Sequence, residues 1–411
     1  MSKRACIVRH SSYYPHDMLV RREAIALRDF GFDVDVFCLR GRDQPAREEV
    51  DGLHIWRLPL RRSKGGLGRY LYEYAVFFVM AAFTLTRCHL RRPYAFIQVN
   101  TMPDFLVFAT LIPRLLGAKV MLQLYEPTPE LWATRLGMTQ EADIARASLG
   151  RRALIRLLEF IQQASLRYAH AAFAVTQQLK DSFVALGADP EKITVVLNVP
   201  DARLFVVGKE EDTENVEIES DAPPIQNGHF TLICHGAIEE RYGHDTMLQA
   251  IAQLKSAIPG LRLRITGWGG YRDQFLAQIE ALGLHNVVQY LGYVSLPQLV
   301  EELRRADVGI VAQKASVYSH LVHTGKMYDY LAFEKPVIAS RLRAVQAYFD
   351  DDSLCFFEPG DPDSLAAAIW DLYQHPHKRQ ALVENSQRRY HQYQWDKQRE
   401  IYLSAYQSFL D

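Results

Sequence analysis

The chain has 411 residues, 48% of them hydrophobic and 23% charged, and a formal net charge of −1. That length exceeds one compact core and argues for two domains. The composition is that of an ordinary globular protein, which excludes a disordered or compositionally biased chain, and no nucleic-acid partner is expected.

The balanced total hides an asymmetry. Residues 1–200 carry 27 Lys+Arg against 19 Asp+Glu, a balance of +8, and the remainder carries 20 against 29, a balance of −9. Much of the second figure lies in GKEEDTENVEIESDAPPIQNG (208–228), with seven acidic residues and two prolines, a composition suited to an exposed loop. A basic first half suits a phosphate-bearing substrate or an anionic membrane surface. Five cysteines (Cys6, Cys38, Cys88, Cys234, Cys355) stand singly with no CxxC pair, which points to reduced thiols, a cytoplasmic protein and no structural metal. MSKRACIVRH does not read as a signal peptide.

In chain order, ACIVRH (5–10) reads as a strand, followed by the turn SSYYPHD and the helix VRREAIALRDFG. DVDVFCL (33–39) and HIWRLPL (54–60) are further strands. A helix over 69–91 contains YAVFFVMAAFTLT (74–86), whose 13 apolar residues fall short of the ~20 that span a bilayer. Arg61, Arg62, Lys64 and Arg69 precede this stretch, and Arg87, Arg91 and Arg92 follow it. It reads as a buried helix, or as one that also lies peripherally on an anionic membrane, with no spanning segment expected. YAFIQVN (94–100) is a strand, MPDFLVFATLIPRLLG a helix, AKVMLQLYE (118–126) a strand, 142–169 helical, and AAFAVTQ (171–177) and KITVVLNVPD (192–201) strands. The alternation restarts after the acidic loop: strands HFTLICHGAI (229–238), LRLRITGWGG (261–270), VVQYLGYV (287–294), DVGIVAQ (307–313) and KPVIAS (335–340), with helices between them. This is an α/β pattern of two Rossmann-like halves, with a hinge near Asn198–Asp201 and a ligand expected in a cleft between them at strand carboxyl ends.

Three features of the second half fall at such strand ends. In HGAIEERYGHD, Gly236 permits close backbone approach and Arg241 supplies a cation. GWGG (267–270) places Gly267 and Gly269 after a strand, but no GxGxxG follows. In LVHTGKMYDYLAFEKPVIAS, the amides of 322–325, including those of His323, Thr324 and Gly325, enter a helix beside Lys326 and suit a phosphate. Asp329, one turn in, can accept from vicinal ribose hydroxyls. Turn glycines and a dipole-compensating acid explain each feature separately, and their meeting at one sheet is what favours a site. In the first half, His16 and Asp17 at the first strand's mouth suit an acceptor or phosphate, or simply a turn, Arg21 and Arg22 follow as surface charge or lining, and Glu130 in PTPEL faces a cleft or caps a helix; His16, Asp17, Arg21 and Glu130 are the acceptor-side candidates. Trp132 reads as packing.

HGAIEERYGHDTMLQAI, PGLRLRITGWGGYRDQ, ADVGIVAQ and GKMYDYLAFEKPVIAS resemble the donor half of glycosyltransferase family 4, retaining enzymes of the GT-B fold. YPHDMLVRREAIAL, MPDFLVFATLIPRLLGAKV, PTPEL and VLNVPDARLF agree for the first half, and Trp395…YLSAYQSFL resembles the terminal helix that crosses back to it. The resemblance implies an acceptor-side domain over 1–200, a nucleotide-sugar donor domain over 201–390 and a crossover helix over 391–411. It implies donor diphosphate contacts from Arg241 and Lys326, ribose contact from Asp329, close approaches at Gly236 and Gly269, and the base near Leu291–Val294. Tyr125 stands where the family often has a histidine, with Glu126 after it, and the resemblance makes both catalytic candidates with Arg241 and Lys326; Asn100 also replaces a frequent histidine and is an acceptor-side candidate. The first acidic position of the family's E-x7-E motif is Leu321, flanked by His320 and His323. The reading is a metal-independent, cofactor-free retaining glycosyltransferase of glycan or glycoconjugate assembly, acting on a glycan, lipid-linked or small-molecule acceptor. Rival readings are a nucleotide-sugar 2-epimerase and a binding protein that has lost activity.

Overall fold

The computed structural model describes residues 3–10, 14–15, 17–41, 44–60, 67–206 and 228–409. His16, Arg61, Arg62, Lys64 and residues 208–227 of the acidic stretch fall outside them. The chain divides into two compact units, Met1–Asn198 with Asp396–Asp411, and Val199–Trp395.

The first unit is built on eight strands: β1 (Arg4–Arg9), β2 (Asp33–Leu39), β3 (Arg47–Val50), β4 (Leu53–Leu58), β5 (Phe96–Asn100), β6 (Lys119–Leu124), β7 (Ala171–Ala174) and β8 (Ile193–Val195). Their order is β3-β4-β2-β1-β5-β6-β7-β8. All neighbours pair in parallel except β3 and β4. Helices between the parallel strands cover both faces, so β1, β5 and β6 are almost wholly buried and read as continuous apolar runs.

The second unit holds β9 (Phe230–His235), β10 (Leu261–Thr266), β11 (Val288–Gly292), β12 (Val308–Val311), β13 (Val337–Ser340) and β14 (Cys355–Phe357). This sheet is wholly parallel in the order β11-β10-β9-β12-β13-β14. Strand order therefore reverses between β9 and β12, the topological position at whose carboxyl ends open α/β sheets take their ligands.

Several elements differ from the sequence expectation. β3 was not expected: REEV pairs back on LHIWRL through Asp51-Gly52, which sit at φ 55° and 68° as an Asp-Gly hairpin turn requires. MPDFLVFATLIPRLLG is a 3-10 segment, Asp104–Thr110, running into the short helix Leu111–Leu115. The helical stretch 142–169 is two helices, Glu141–Arg146 and Leu149–Tyr168. The helix expected over 69–91 spans Leu67–Arg91, and by length and composition its Gly68–Arg91 segment is long and apolar enough to cross a membrane. This corrects the estimate from the 13-residue core alone, because Leu71, Tyr72 and Leu90 extend the apolar surface at both ends.

The last helix, Trp395–Gln407, joins the first unit from Asp396 onward. Tyr402 and Tyr406 both donate to Gln98 Oε1, Tyr402 at 2.7 Å, and the Tyr406 ring stands edge-on to Phe96 at 5.2 Å.

Candidate functional site

The loops leaving β9, β10 and β11 continue the sheet as a backbone cradle. Gly236 N–H donates to Thr266 O at 2.9 Å, Gly267 N–H to Gly292 O at 2.6 Å, and Ile238 N–H to Trp268 O at 3.2 Å. Such close passage requires glycine. Gly236 and Gly267 have φ of 97° and 130°, and a Cβ on Gly267 would collide with Gly236 O. A Cβ on Gly269 would run into the Ile238 backbone, and one on Gly236 would stand 2.8 Å from Lys326 Cε.

The helix Lys326–Ala332 is pinned to this sheet by Tyr330. Its ring fills the space over Gly309 of β12, where any side chain would collide with it, and its hydroxyl accepts from His235 N–H at 3.3 Å. Lys326 and Asp329 are thereby held beside the end of β9. Lys326 is buried, with Nζ 4.2 Å from the Tyr242 ring centroid, and the Arg241 guanidinium lies 4.7 Å from the same ring. Burial pulls the Lys326 pKa down and Arg241 adds to that, while Cys234 and Asp329 oppose it. Two cations thus share one aromatic ring, an arrangement that favours a bound anion. Arg241 also approaches Glu239 at 3.8 Å, and its carbonyl accepts from Lys314 N–H, whose ammonium pairs with Asp245 at 2.6 Å.

Asp329 Oδ2 lies 3.4 Å from His235 Nε2. Despite that carboxylate, burial and the nearby Lys326 charge depress His235 to about 3, so its ring is neutral. His244 is depressed to about 3 by burial and Lys326, and His323 to about 4 by burial. His323 packs edge-on against Tyr328 and Tyr348, 3.2 Å from the Tyr328 hydroxyl. The His323 imidazole is therefore a core ring, and its backbone stays at the loop. Thr324 Oγ1 accepts from Lys326 N–H at 3.4 Å and Gly325 caps the helix, so both keep their places at its start. Leu321 is half-buried in the same loop.

The candidates in the first unit form a buried polar network. Glu23, 1% exposed, accepts from Tyr125 Oη at 2.7 Å, Gln98 Nε2 at 2.8 Å and Asn100 Nδ2 at 3.1 Å. Burial raises the Glu23 pKa, and Arg22 and the three donors oppose the rise. Tyr125 and Asn100 are buried, with Tyr125 Oη and Asn100 Nδ2 both donating to Glu23 and Asn100 Oδ1 accepting from Gln98 Nε2 at 2.7 Å. The Arg9 guanidinium lies 4.3 Å from the Tyr125 ring centroid and pairs with Asp17 at 2.8 Å. Asp17 also caps the helix Met18–Asp29 through Leu19 and Val20 N–H. Arg21 makes a two-pronged pair with Asp51, at 2.9 and 3.1 Å, and so braces the hairpin turn. Glu126 is half-buried at the end of β6, close enough to Arg9 to raise the guanidinium's pKa. Glu130, in the helix Thr128–Arg135, is pushed up to about 7 by burial.

Sequence reasoning missed Tyr242, the ring next to both cations, and the exposed Trp268 at the end of β10, while the exposed Tyr293 lies in the stretch Leu291–Val294 expected near the base. An aromatic next to Arg241, and another between turn glycines, were the available signals. Among the described residues no three His, Cys, Asp or Glu side chains stand together as a metal-ligand set.

Two family descriptions match the chain: "Glycosyl transferase 4-like domain" over residues 19–198 and "Glycosyl transferases group 1" over 215–389. The D-inositol 3-phosphate glycosyltransferase of Corynebacterium kroppenstedtii is 26% identical over 230 residues, covering 54% of this chain and 49% of that protein. The chain thus aligns with about half the length of this curated relative. Among solved structures, sucrose-phosphate synthase from Thermosynechococcus elongatus superposes with a TM-score of 0.72 at 17% identity, covering 99% of this chain and 98% of that one. Anabaena HepE in complex with UDP-glucose gives 0.70 at 16% identity, covering 98% and 99%. These two likenesses bear on the fold.

Proposed function

The chain belongs to the glycosyltransferase superfamily of the GT-B fold, and from that premise we propose that it moves a sugar from a nucleoside diphosphate-sugar to an acceptor with retention of configuration. The observation that carries this reading is the pair of cations, Lys326 and Arg241, over Tyr242 at the glycine cradle. A diphosphate seated there replaces cation–cation repulsion with charge-assisted hydrogen bonds. Asp329 is the ribose acceptor in this reading, and the exposed Trp268 and Tyr293 offer rings to the base. Crystals of HepE with UDP-glucose lend support to a uridine donor.

Leaving-group stabilisation is the main catalytic contribution. As the bond from the anomeric carbon to the diphosphate oxygen breaks, negative charge grows where Lys326 and Arg241 stand. The acceptor hydroxyl attacks from the same face, and its proton passes to the departing phosphate oxygen. No protein base and no metal enters this proposal. The relative named for an inositol 3-phosphate acceptor supports a phosphate-bearing acceptor, as does the +8 balance of residues 1–200.

A panel of UDP-, GDP-, ADP- and TDP-sugars offered with phosphorylated and lipid-linked acceptors tests the proposal. A product with the donor's anomeric configuration, seen by NMR, is expected; an inverted product would overturn the retaining mechanism. Leu321 favours one alternative, a nucleotide-binding partner without activity, because it removes an acid from beside the donor sugar. Tight nucleotide binding with no turnover or donor hydrolysis across the panel would favour that alternative.

A further inference from the structure

The helix Leu67–Arg91 is apolar on two opposite faces. Its inner face buries Phe77, Ala81, Leu85 and Cys88 within the first unit. On the other side Tyr72, Val79, Phe83 and Leu90 are 56%, 64%, 69% and 66% exposed. Successive members of that second set are seven or four residues apart, so they form one stripe along the helix. The helix Leu111–Leu115 packs beside it and leaves Leu115 69% exposed, followed by Leu116 at 55%. A continuous apolar patch of this kind marks an interaction surface.

The charges around the stripe identify its partner. The only acid between Leu67 and Arg91 is Glu73, which is fully buried and paired with Arg69 at 2.9 Å. Arg87 and Arg91 are exposed at the carboxyl end of the stripe, beside Arg92, which pairs with Asp33. The same helix face of a second copy offers this rim no exposed acid, because Glu73 is buried in each copy. Anionic lipid headgroups complement this basic rim, and acyl chains accept the stripe.

We infer that this face is a docking surface for an anionic phospholipid bilayer, with the helix lying in the plane of the interface. Crossing the bilayer would carry the buried Glu73 and His89 into hydrocarbon and strip Phe77 from its edge contact with His10, 5.0 Å between ring centroids. The inference does not depend on the transfer reaction proposed above, because it is read by lipid binding alone.

Flotation of the full chain with vesicles of phosphatidylcholine, or of phosphatidylcholine with phosphatidylglycerol, tests it. The chain is expected to float with the anionic vesicles, to stay behind with the neutral ones, and to be released by high salt or alkaline carbonate. Phe83→Glu and, separately, Leu115→Glu are each expected to lower partitioning by about tenfold or more, since each places a charge where apolar area enters the interface. Both side chains are exposed, so circular dichroism and the thermal midpoint are expected to match the wild type. Equal flotation with both vesicles, no flotation at any anionic fraction, or unchanged flotation of both variants would overturn the inference. Retention after alkaline carbonate would show a spanning helix instead, and a dimer in sedimentation that Phe83→Glu dissolves would show a second copy.

Discussion

Lowering the pH from about 7.5 to about 5 is expected to loosen the second unit selectively around the candidate site. His235, His244 and His323 are buried there and held at about 3, 3 and 4, against an ordinary 6.5. Each folded pKa lies below the unfolded one, so the unfolded chain takes up protons that the folded unit refuses. Stability is complete above about 6.5 and drains as pH falls toward the folded values. At about pH 5 each ring costs about 2 kcal/mol, and the three together about 6 kcal/mol. That is comparable with the whole stability of a typical domain, about 5–15 kcal/mol. Amide exchange of peptides covering β9 and β12, corrected for the intrinsic rate change, reads the effect. Protection is expected to fall by roughly four orders of magnitude where exchange reports unfolding of the unit. A triple His235→Gln, His244→Gln, His323→Gln variant, less stable at neutral pH, is expected to show a nearly flat profile. Protection that changes less than about tenfold, or a variant that keeps the wild-type slope, would refute the reasoning.

Other perturbations give equally definite expectations. Gly236→Ala puts a Cβ 2.8 Å from Lys326 Cε at φ 97°, so nucleoside diphosphate affinity is expected to fall by about tenfold in titration calorimetry. Gly267→Ala collides with the Gly236 carbonyl and is expected to cost the second unit about 2–3 kcal/mol, read as a lower denaturation midpoint. Tyr125→Phe leaves the buried Glu23 carboxylate short of a donor and is expected to cost about 1–3 kcal/mol in urea unfolding, with nucleotide affinity unchanged. Wild-type stability in that variant would mean Glu23 is protonated or otherwise solvated.

The parallel strands were legible because doubly covered strands are continuous apolar runs, as in FTLICH and VMLQ. The features that escaped depended on contacts distant in sequence. REEV is charged and polar, and only its pairing with LHIWRL across Asp51-Gly52 makes it a strand. MPDFLVFATLIPRLLG carries a helical apolar pattern, yet it folds largely as 3-10 turns. At the site, the glycines and Lys326 stood out as residue types suited to phosphate. Tyr242 did not, because its role lies in stacking beneath two cations drawn from separate elements. The surroundings of Tyr125 and Asn100 were hidden for a related reason. They sit at strand ends where ligands bind, but Glu23, from a helix far away in sequence, claims both side chains.

Whether Lys326 belongs to a diphosphate site decides the proposed function most directly. Isothermal titration of UDP, GDP, ADP and TDP into the full chain, repeated with Lys326→Met, is the deciding measurement. At least one nucleotide is expected to bind, and the substitution to weaken it by about 30-fold, the loss of one buried charge-assisted contact of about 2 kcal/mol. Failure of all four nucleotides to bind, or equal affinity in wild type and Lys326→Met, would contradict it.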